Sequence, residues 1–168
     1  MEYHRHSIRL RGFDYSQEGY YFVTICTYHH ECLFGEIVDG KIVLNPLGLI
    51  VKHNWIAISN HFKFVRINQY MIMPNHIHGI LIVDGVGAGL PRPTSGRGNR
   101  APTLGQMIAY FKYVCAKQIH RIIDNPQLPI WQRNYYEHII RNEKDYWAIK
   151  QYIKDNPKNW ERDELFTR

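Results

Sequence analysis

The apolar residues of this chain recur in two alternating patterns, one typical of strands and one typical of helices. Residues 19–29 are rich in aromatic and β-branched side chains, which predicts a central strand. Residues 36–44 predict a short hairpin around an Asp-Gly turn. The apolar run over residues 69–84 predicts two further strands, and part of residues 130–141 predicts the last strand of the same sheet.

Three other segments have helical spacing. One helix is predicted from Pro46 to about residue 61, and a long amphipathic helix over residues 103–123. A last helix is predicted from the cap residue Asn142 to about residue 155, stopped by Pro157. The face of the first helix that is predicted to pack on the sheet consists of Leu49, Ile50, His53, Ile56, Ala57 and Asn60.

The order of these elements is strand, helix, two strands, helix, strand, helix, which is that of an α+β domain. It predicts an antiparallel sheet with helices on one face and one extra C-terminal helix. The 168 residues, 45% of them apolar, are enough for one sizeable core, so residues 1–168 are predicted to form a single domain. Residues 85–102 replace the apolar pattern with glycine, proline and arginine, which predicts a flexible loop.

The charge balance indicates a polyanionic partner. The net charge is +6 and the sequence pI is about 9.2. Arg9 and Arg11 contribute to a basic N-terminal stretch. Charge alone does not choose between DNA, RNA and another acidic surface.

The cysteines indicate a reducing compartment. Cys26, Cys32 and Cys115 have no C-x-x-C spacing and lie in or near apolar segments. They are therefore predicted to be reduced core residues, and a small structural zinc module is excluded. The chain has no secretory apolar segment at its start and no apolar stretch long enough to span a bilayer, which predicts a cytoplasmic protein without a membrane partner.

The most informative motif is Pro-Asn-His-Ile-His-Gly at residues 74–79, inside the predicted strand run. Because side chains alternate along a strand, His76 and His78 point to one face while Ile77 faces the core. Two imidazoles on one face can share a metal ion or a phosphate. The alternative is that both histidines are polar groups that face water at a strand edge.

Tyr152 and Asn156 lie four residues apart on the last predicted helix and are therefore neighbours on one face. If this helix crosses the sheet face that bears the histidines, Asn156 can supply an oxygen ligand and Tyr152 can reach an atom bound at the site. A structural interpretation is also open. Asn before Pro157 is an ordinary helix end, and Tyr152 borders an apolar stripe that includes Ile153.

Short motifs that match one known family occur in order along nearly the whole chain. Any one of them is weak evidence, but the ordered set is specific. They are residues 9–15 (RLRGFDY), 73–78 (MPNHIH), 104–105 (LG) with 111–112 (FK), 131–141 (WQRNYYEHIIR), and Tyr152 with Asn156 and Pro157. With these motifs the chain resembles the REP-associated tyrosine transposases, single-tyrosine HUH transposases related to the insertion-sequence-200 group.

The resemblance implies a ferredoxin-like fold and a catalytic site. By this resemblance His76 and His78 are paired metal ligands, Asn156 is the third ligand and Tyr152 is the nucleophile. The family implies Mg²⁺ or Mn²⁺, whereas two imidazoles and an amide suit Zn²⁺ or Mn²⁺ by their chemistry. Mn²⁺ satisfies both arguments, and Mg²⁺ is kept beside it.

The activity implied by the resemblance is cleavage and rejoining of single-stranded DNA near hairpin sequences. The tyrosine oxygen attacks a phosphodiester, forms a 5′-phosphotyrosine and releases a 3′ hydroxyl that can reverse the step. A DNA substrate implies association with the nucleoid, and basic contacts with aromatic stacking are expected. The candidate DNA contacts are Arg9, Arg11, Lys112, Arg133 and Arg141.

Two further questions stay open at the level of sequence. Members of the wider family occur as monomers and as dimers that share catalytic helices, so a homodimer whose site is completed by a second copy is one possibility. The alternative function is a non-catalytic binder of single-stranded nucleic acid on the same fold, which predicts binding without cleavage. A two-histidine phosphoesterase is disfavoured, because that chemistry needs two separate His-x-Ser/Thr elements.

Overall fold

A computed structural model describes residues 18–84 and 102–166 of the chain. No helix in these two ranges is long and apolar enough to cross a membrane. The strands are β1 (Gly19–Cys26), β2 (Gly35–Val38), β3 (Lys41–Leu44), β4 (Val65–Ile72), β5 (His76–Val83) and β6 (Tyr136–Ile140). The α-helices are α1 (Pro46–His61), α2 (Leu104–Ile123) and α3 (Glu143–Asp155), and 3₁₀ helices cover Tyr28–His30 and Asn156–Arg162.

Four of the described strands form one antiparallel sheet in the order β4-β5-β1-β6, and β2 and β3 form a separate hairpin. With α1 and α2 as the crossover connections, this order is the ferredoxin-like arrangement, which confirms the predicted fold class. At the hairpin turn Asp39 and Gly40 have left-handed φ values of 50° and 68°. This is the geometry expected of an Asp-Gly turn dipeptide.

The main core lies between one face of the sheet and the helices α1 and α2. Alternation along β5 directs Ile77 and Leu81 into this core. Trp55 of α1 is fully buried and packs edge-on against Phe111 of α2, with ring centroids 5.1 Å apart. Gly79 of β5 provides the space for this indole, since a Cβ at Gly79 would lie 2.3 Å from Trp55 Cζ2. The Trp55 ring therefore joins both helices to the sheet.

The bounds of α1 agree with the prediction, but its buried face does not. Leu49 and Ile56, predicted to pack on the sheet, are 55% and 45% exposed. The sequence of α1 is apolar on most sides, so its pattern does not select one face. The close approach of Trp55 to Gly79 selects the face instead. The buried residues of α1 are Gly48, Val51, Asn54, Trp55 and Ile58.

Helix α3 packs on the opposite face of the sheet, as the extra C-terminal helix of the prediction. Its anchor is Ile153, which is fully buried in a second apolar cluster with Phe22 of β1 and Ile80 of β5. Because side chains alternate along β5, Ile80 shares its face with His76 and His78. The histidine face of the sheet is therefore the face that α3 covers.

The two ends of α3 are set by local sequence. At its start the Asn142 side chain accepts a hydrogen bond from the backbone N–H of Asp145 at 2.9 Å, which confirms the predicted cap. The α-helix ends at Asp155, as predicted. Pro157 follows this end, as the prediction requires, and lies in the first turn of a 3₁₀ helix, where proline is tolerated. The 3₁₀ helix Asn156–Arg162 continues beyond it.

Two of the cysteines lie in the core and one does not. Cys26 and Cys115 are buried, as predicted, whereas Cys32 is exposed, so the prediction is wrong for Cys32. Cys32 lies between the first 3₁₀ helix and β2, where no regular element turns its side chain inward. The loop predicted at residues 85–102 lies outside the described residues except for its last position.

Gly79→Ala should lower the free energy of unfolding by about 1–3 kcal/mol, because the added methyl group would overlap the Trp55 ring. Urea denaturation followed by tryptophan fluorescence measures this change. Gly19→Ala is the control, since a Cβ at Gly19 meets the Tyr21 ring at 3.5 Å, an ordinary contact. Equal stability of the two variants would contradict this account of the core.

Candidate active site

His76 and His78 lie at the start of β5, and both rings point to the face covered by α3. Their exposed fractions are 0% and 2%, so the alternative that they face water is wrong. The Nε2 atoms of the two rings are 3.0 Å apart. Burial lowers the pKa of His76 to about 4, and burial together with the adjacent His76 lowers the pKa of His78. Both imidazoles are therefore neutral at pH 7 and able to act as ligands.

Asn75 orients the ring of His76. Asn75 Oδ1 accepts a hydrogen bond from His76 Nδ1 at 2.8 Å. The orientation of the Asn75 amide follows from its other partners, because Nδ2 donates to the carbonyl oxygens of His30 and Leu165 at 3.1 and 2.7 Å. His76 consequently carries its proton on Nδ1 and a lone pair on Nε2, the tautomer that a metal ligand needs.

Thr24 is the corresponding neighbour of His78. The register between β1 and β5 places Thr24 directly opposite His78, and Thr24 Oγ1 lies 2.8 Å from His78 Nδ1. The Phe22 ring stacks on the same imidazole with centroids 5.5 Å apart. Because a hydroxyl can donate or accept, Thr24 positions the ring without selecting its tautomer. The orientation of His78 therefore depends on β1.

Tyr152 projects from α3 toward the histidine pair of the same chain. Its Oη lies 3.2 Å from His78 Nε2, and its ring packs edge-on against Phe22 at 6.2 Å. Tyr152 is 47% exposed, which does not fit a core residue and leaves it accessible to a substrate. Partial burial raises the pKa of Tyr152 to about 12, with smaller contributions from Asp163 and Glu164. The phenol is therefore protonated at neutral pH.

Asn156 lies where α3 passes into the second 3₁₀ helix and is buried beside His76. Its Nδ2 donates to Asp163 Oδ2 at 2.5 Å. Its Oδ1 is buried and completes no hydrogen bond with a described residue. The Asn156 side chain nevertheless lies close enough to His76 to raise the pKa of that ring, against the larger lowering caused by burial. A buried amide oxygen in this situation is a candidate ligand atom.

Asp163 is a member of the site that no sequence pattern indicates. A carboxylate oxygen of Asp163 and one ring nitrogen each of His76 and His78 all lie within 4.8 Å of one another. No helical or strand period relates Asp163 to the histidines. The turn of the chain after Asn156 brings Asp163 back to the site. No pattern in the sequence indicates this turn.

The arrangement of the histidines fits a divalent cation. Two adjacent ligands of an octahedral cation with bonds of ~2.1 Å lie about 3.0 Å apart. The separation of the two Nε2 atoms, 3.0 Å, matches this requirement. Imidazole, amide and carboxylate donors together suit Mn²⁺, with Mg²⁺ as the harder alternative.

The basic residues predicted to contact DNA differ in their burial and in their contacts. Lys112 Nζ donates to three backbone carbonyls of the loop before β6, at 2.8 to 3.4 Å, and burial lowers its pKa to about 8. Lys112 thus holds this loop from the α2 side of the sheet. Arg133 and Arg141 are exposed on either side of β6, where DNA contact stays a prediction. The remaining two, Arg9 and Arg11, lie outside the described residues.

The fold and the sequence each match a known protein. A solved structure of the REP-associated tyrosine transposase bound to a REP hairpin matches with a TM-score of 0.55 and 22% identity, over 95% of this chain and 73% of that chain. The chain therefore has the fold of that transposase, in agreement with the resemblance in sequence. No protein-family model matches the chain.

In sequence the chain is 43% identical over 174 residues to an uncharacterized protein of Haemophilus influenzae. This match covers 98% of the chain and 94% of the relative. The chain belongs to the same protein family as that Haemophilus influenzae protein.

Burial of the uncharged histidines should make folding sensitive to mild acid. The unfolded chain binds protons on these imidazoles near pH 6.5, whereas folded His76 excludes its proton down to about pH 4. The free energy of unfolding should therefore fall as the pH drops from about 6.5 to about 4, by up to ~1.4 kcal/mol per pH unit for each imidazole.

Urea denaturation at a series of pH values, with a chelator present, measures this slope. His76→Gln should reduce the slope, because the variant has no imidazole to protonate at this position. His53→Gln, on the exposed face of α1, is the control for the loss of a histidine outside the site. An unchanged slope in His76→Gln would contradict the assignment of a buried neutral ring.

Proposed function

We propose that this protein cleaves and rejoins single-stranded DNA through a covalent bond between Tyr152 and a 5′ phosphate. The observation that carries the proposal is the hydroxyl of the half-exposed residue Tyr152, which lies 3.2 Å from Nε2 of His78 in a buried histidine pair. The shared fold with a tyrosine transposase and the net charge of +6 support it. A tyrosine nucleophile at this point favours strand transfer over hydrolysis, because the covalent intermediate can be reversed.

The Tyr152 side chain supplies the attacking oxygen. A bond forms between Oη and phosphorus, and the bond from phosphorus to the 3′ oxygen breaks. In net terms the phenolic proton passes to this 3′ oxygen, which is released as a hydroxyl. The phosphotyrosine conserves the phosphodiester bond, so a 3′ hydroxyl can attack it and rejoin the strand. Neither water nor ATP is consumed.

Removal of the phenolic proton is the demanding part of this step, because the pKa of Tyr152 is about 12. The His78 ring and the Phe22 contact hold the phenol in place for attack. The proposed holders of a divalent cation are His76, His78 and Asn156. The chemistry that such a cation supplies when bound is polarisation of a phosphoryl oxygen and compensation of the negative charge that develops during attack.

The proposed substrate class is single-stranded DNA beside a hairpin. The transposase that shares this fold is bound to a REP hairpin in its solved structure. On this chain the exposed side chains of Arg133 and Arg141 flank β6, the edge strand next to β1. They offer cationic contacts to a backbone that leads to Tyr152.

Tyr152→Phe should abolish the covalent protein–DNA adduct, because it removes the attacking oxygen, while DNA binding is retained. The assay combines labelled hairpin oligonucleotides that carry single-stranded flanks with the protein and Mn²⁺. An adduct that survives denaturation is then mapped by mass spectrometry.

Tyr136→Phe is the matched control for this experiment. Tyr136 is 48% exposed, and its ring also lies 6.2 Å from Phe22, so it resembles Tyr152 in exposure and packing. The control should form the adduct as the wild type does. An adduct on a tyrosine other than Tyr152 would refute the site assignment, and wild-type binding without any adduct would favour a non-catalytic binder.

Removal of divalent cations with a chelator should stop adduct formation, and added Mn²⁺ should restore it. His76→Ala and His78→Ala should each lose adduct formation and weaken Mn²⁺ binding, because each removes one ring nitrogen from the site. His53→Ala serves as the control on the exposed face of α1. Full activity of the wild type in chelator would exclude a cation from the reaction.

A further inference from the structure

The chain after α3 returns to the histidine pair and carries a carboxylate to it. The 3₁₀ helix Asn156–Arg162 turns the backbone so that Asp163 joins His76 and His78 in one group of potential ligands. Trp160 anchors this turn, since it is 8% exposed and its ring centroid lies 5.9 Å from that of His76. Packing of the turn against the site therefore determines the position of Asp163.

Both oxygens of the Asp163 carboxylate are held by hydrogen bonds. Oδ1 accepts from the backbone N–H of Leu165 at 2.7 Å, and Oδ2 accepts from Asn156 Nδ2 at 2.5 Å. Leu165 is itself tied to the site, because Asn75 Nδ2 donates to its carbonyl oxygen. A carboxylate offers about four lone-pair directions. The two bonds orient the group and leave directions with which it can bind a cation.

A carboxylate adds negative charge to the donor set of this site. The imidazoles of His76 and His78 and the amide of Asn156 supply lone pairs but no charge, whereas a carboxylate also attracts a dication electrostatically. Among the described residues, Asp163 is the acidic member of the group that includes both histidines. Two histidines and one carboxylate form a donor set that binds first-row divalent metals.

We propose that Asp163 is the anionic ligand of the cation held by His76 and His78, and that Asn156 orients the Asp163 carboxylate. The inference rests on the proposed function, because it concerns the cation of the same site. It adds a carboxylate to the ligand set that the family resemblance implies. The cation belongs to the class of Mn²⁺ and Mg²⁺, which accept oxygen ligands.

The test titrates Mn²⁺ alone into the full chain without DNA and follows the free ion by electron paramagnetic resonance. Asp163→Asn keeps the size of the side chain and removes its charge, so Mn²⁺ binding should weaken at least ~10-fold. Glu161→Gln removes a charge from an exposed residue of the same segment and should leave Mn²⁺ binding unchanged. His76→Ala shows the effect of losing a ring ligand.

Asp163→Cys distinguishes a metal ligand from a residue that only supports the structure, because only a ligand position changes the metal preference of the site. A thiolate prefers softer metals, so this variant should gain affinity for Cd²⁺. It should also gain an ultraviolet charge-transfer absorption with Cd²⁺ beyond that of the wild type, whose own three cysteines, including the exposed Cys32, set the baseline.

Two results would overturn the inference. One is Mn²⁺ binding by Asp163→Asn equal to that of the wild type while His76→Ala is impaired. The other is a folded Asp163→Cys protein that shows no new Cd²⁺ absorption. Either result leaves the proposed function standing, because that function is judged by the DNA adduct at Tyr152.

Discussion

The alternation of side chains along β5 is the constraint on which both the core and the candidate site depend. One face of this strand carries Gly79, whose missing side chain admits the Trp55 ring and so fixes α1 and α2 against the sheet. The other face carries His76 and His78, buried beneath α3. A shift of one residue in the register would exchange the two faces, and would place imidazoles in the core and apolar groups at the site.

Burial on the histidine face sets the chemistry that the site can perform. It keeps the two imidazoles neutral, so that their lone pairs are available, and it raises the pKa of Tyr152. Tyr152 nonetheless remains half exposed at the edge of this buried region. The combination suits a nucleophile that must meet a large substrate while its neighbours stay shielded from water. The proposed strand transfer uses this difference in exposure between the Tyr152 side chain and the buried histidines.

Most of the fold was predictable because its signals are local. The Asp-Gly turn, the start of α1 at Pro46 and the cap at Asn142 each depend on neighbours in sequence, and all three agree with the structure. The buried face of α1 was not predictable, because apolar residues surround the helix and contacts with distant segments, such as that of Trp55 with Gly79, select among them. The exposure of Cys32 likewise depends on a connection without a regular pattern.

The strand and helix periods in the sequence predict that His76 and His78 share one face and that Tyr152 and Asn156 lie one helical turn apart. The fold of the whole chain is needed to place α3 over the histidine face and to bring Tyr152 to His78. It alone also placed Asn75, Thr24 and Asp163 around the rings. Strand register and the packing of Ile153 and Trp160 create these contacts between segments distant along the chain, and no local period encodes them.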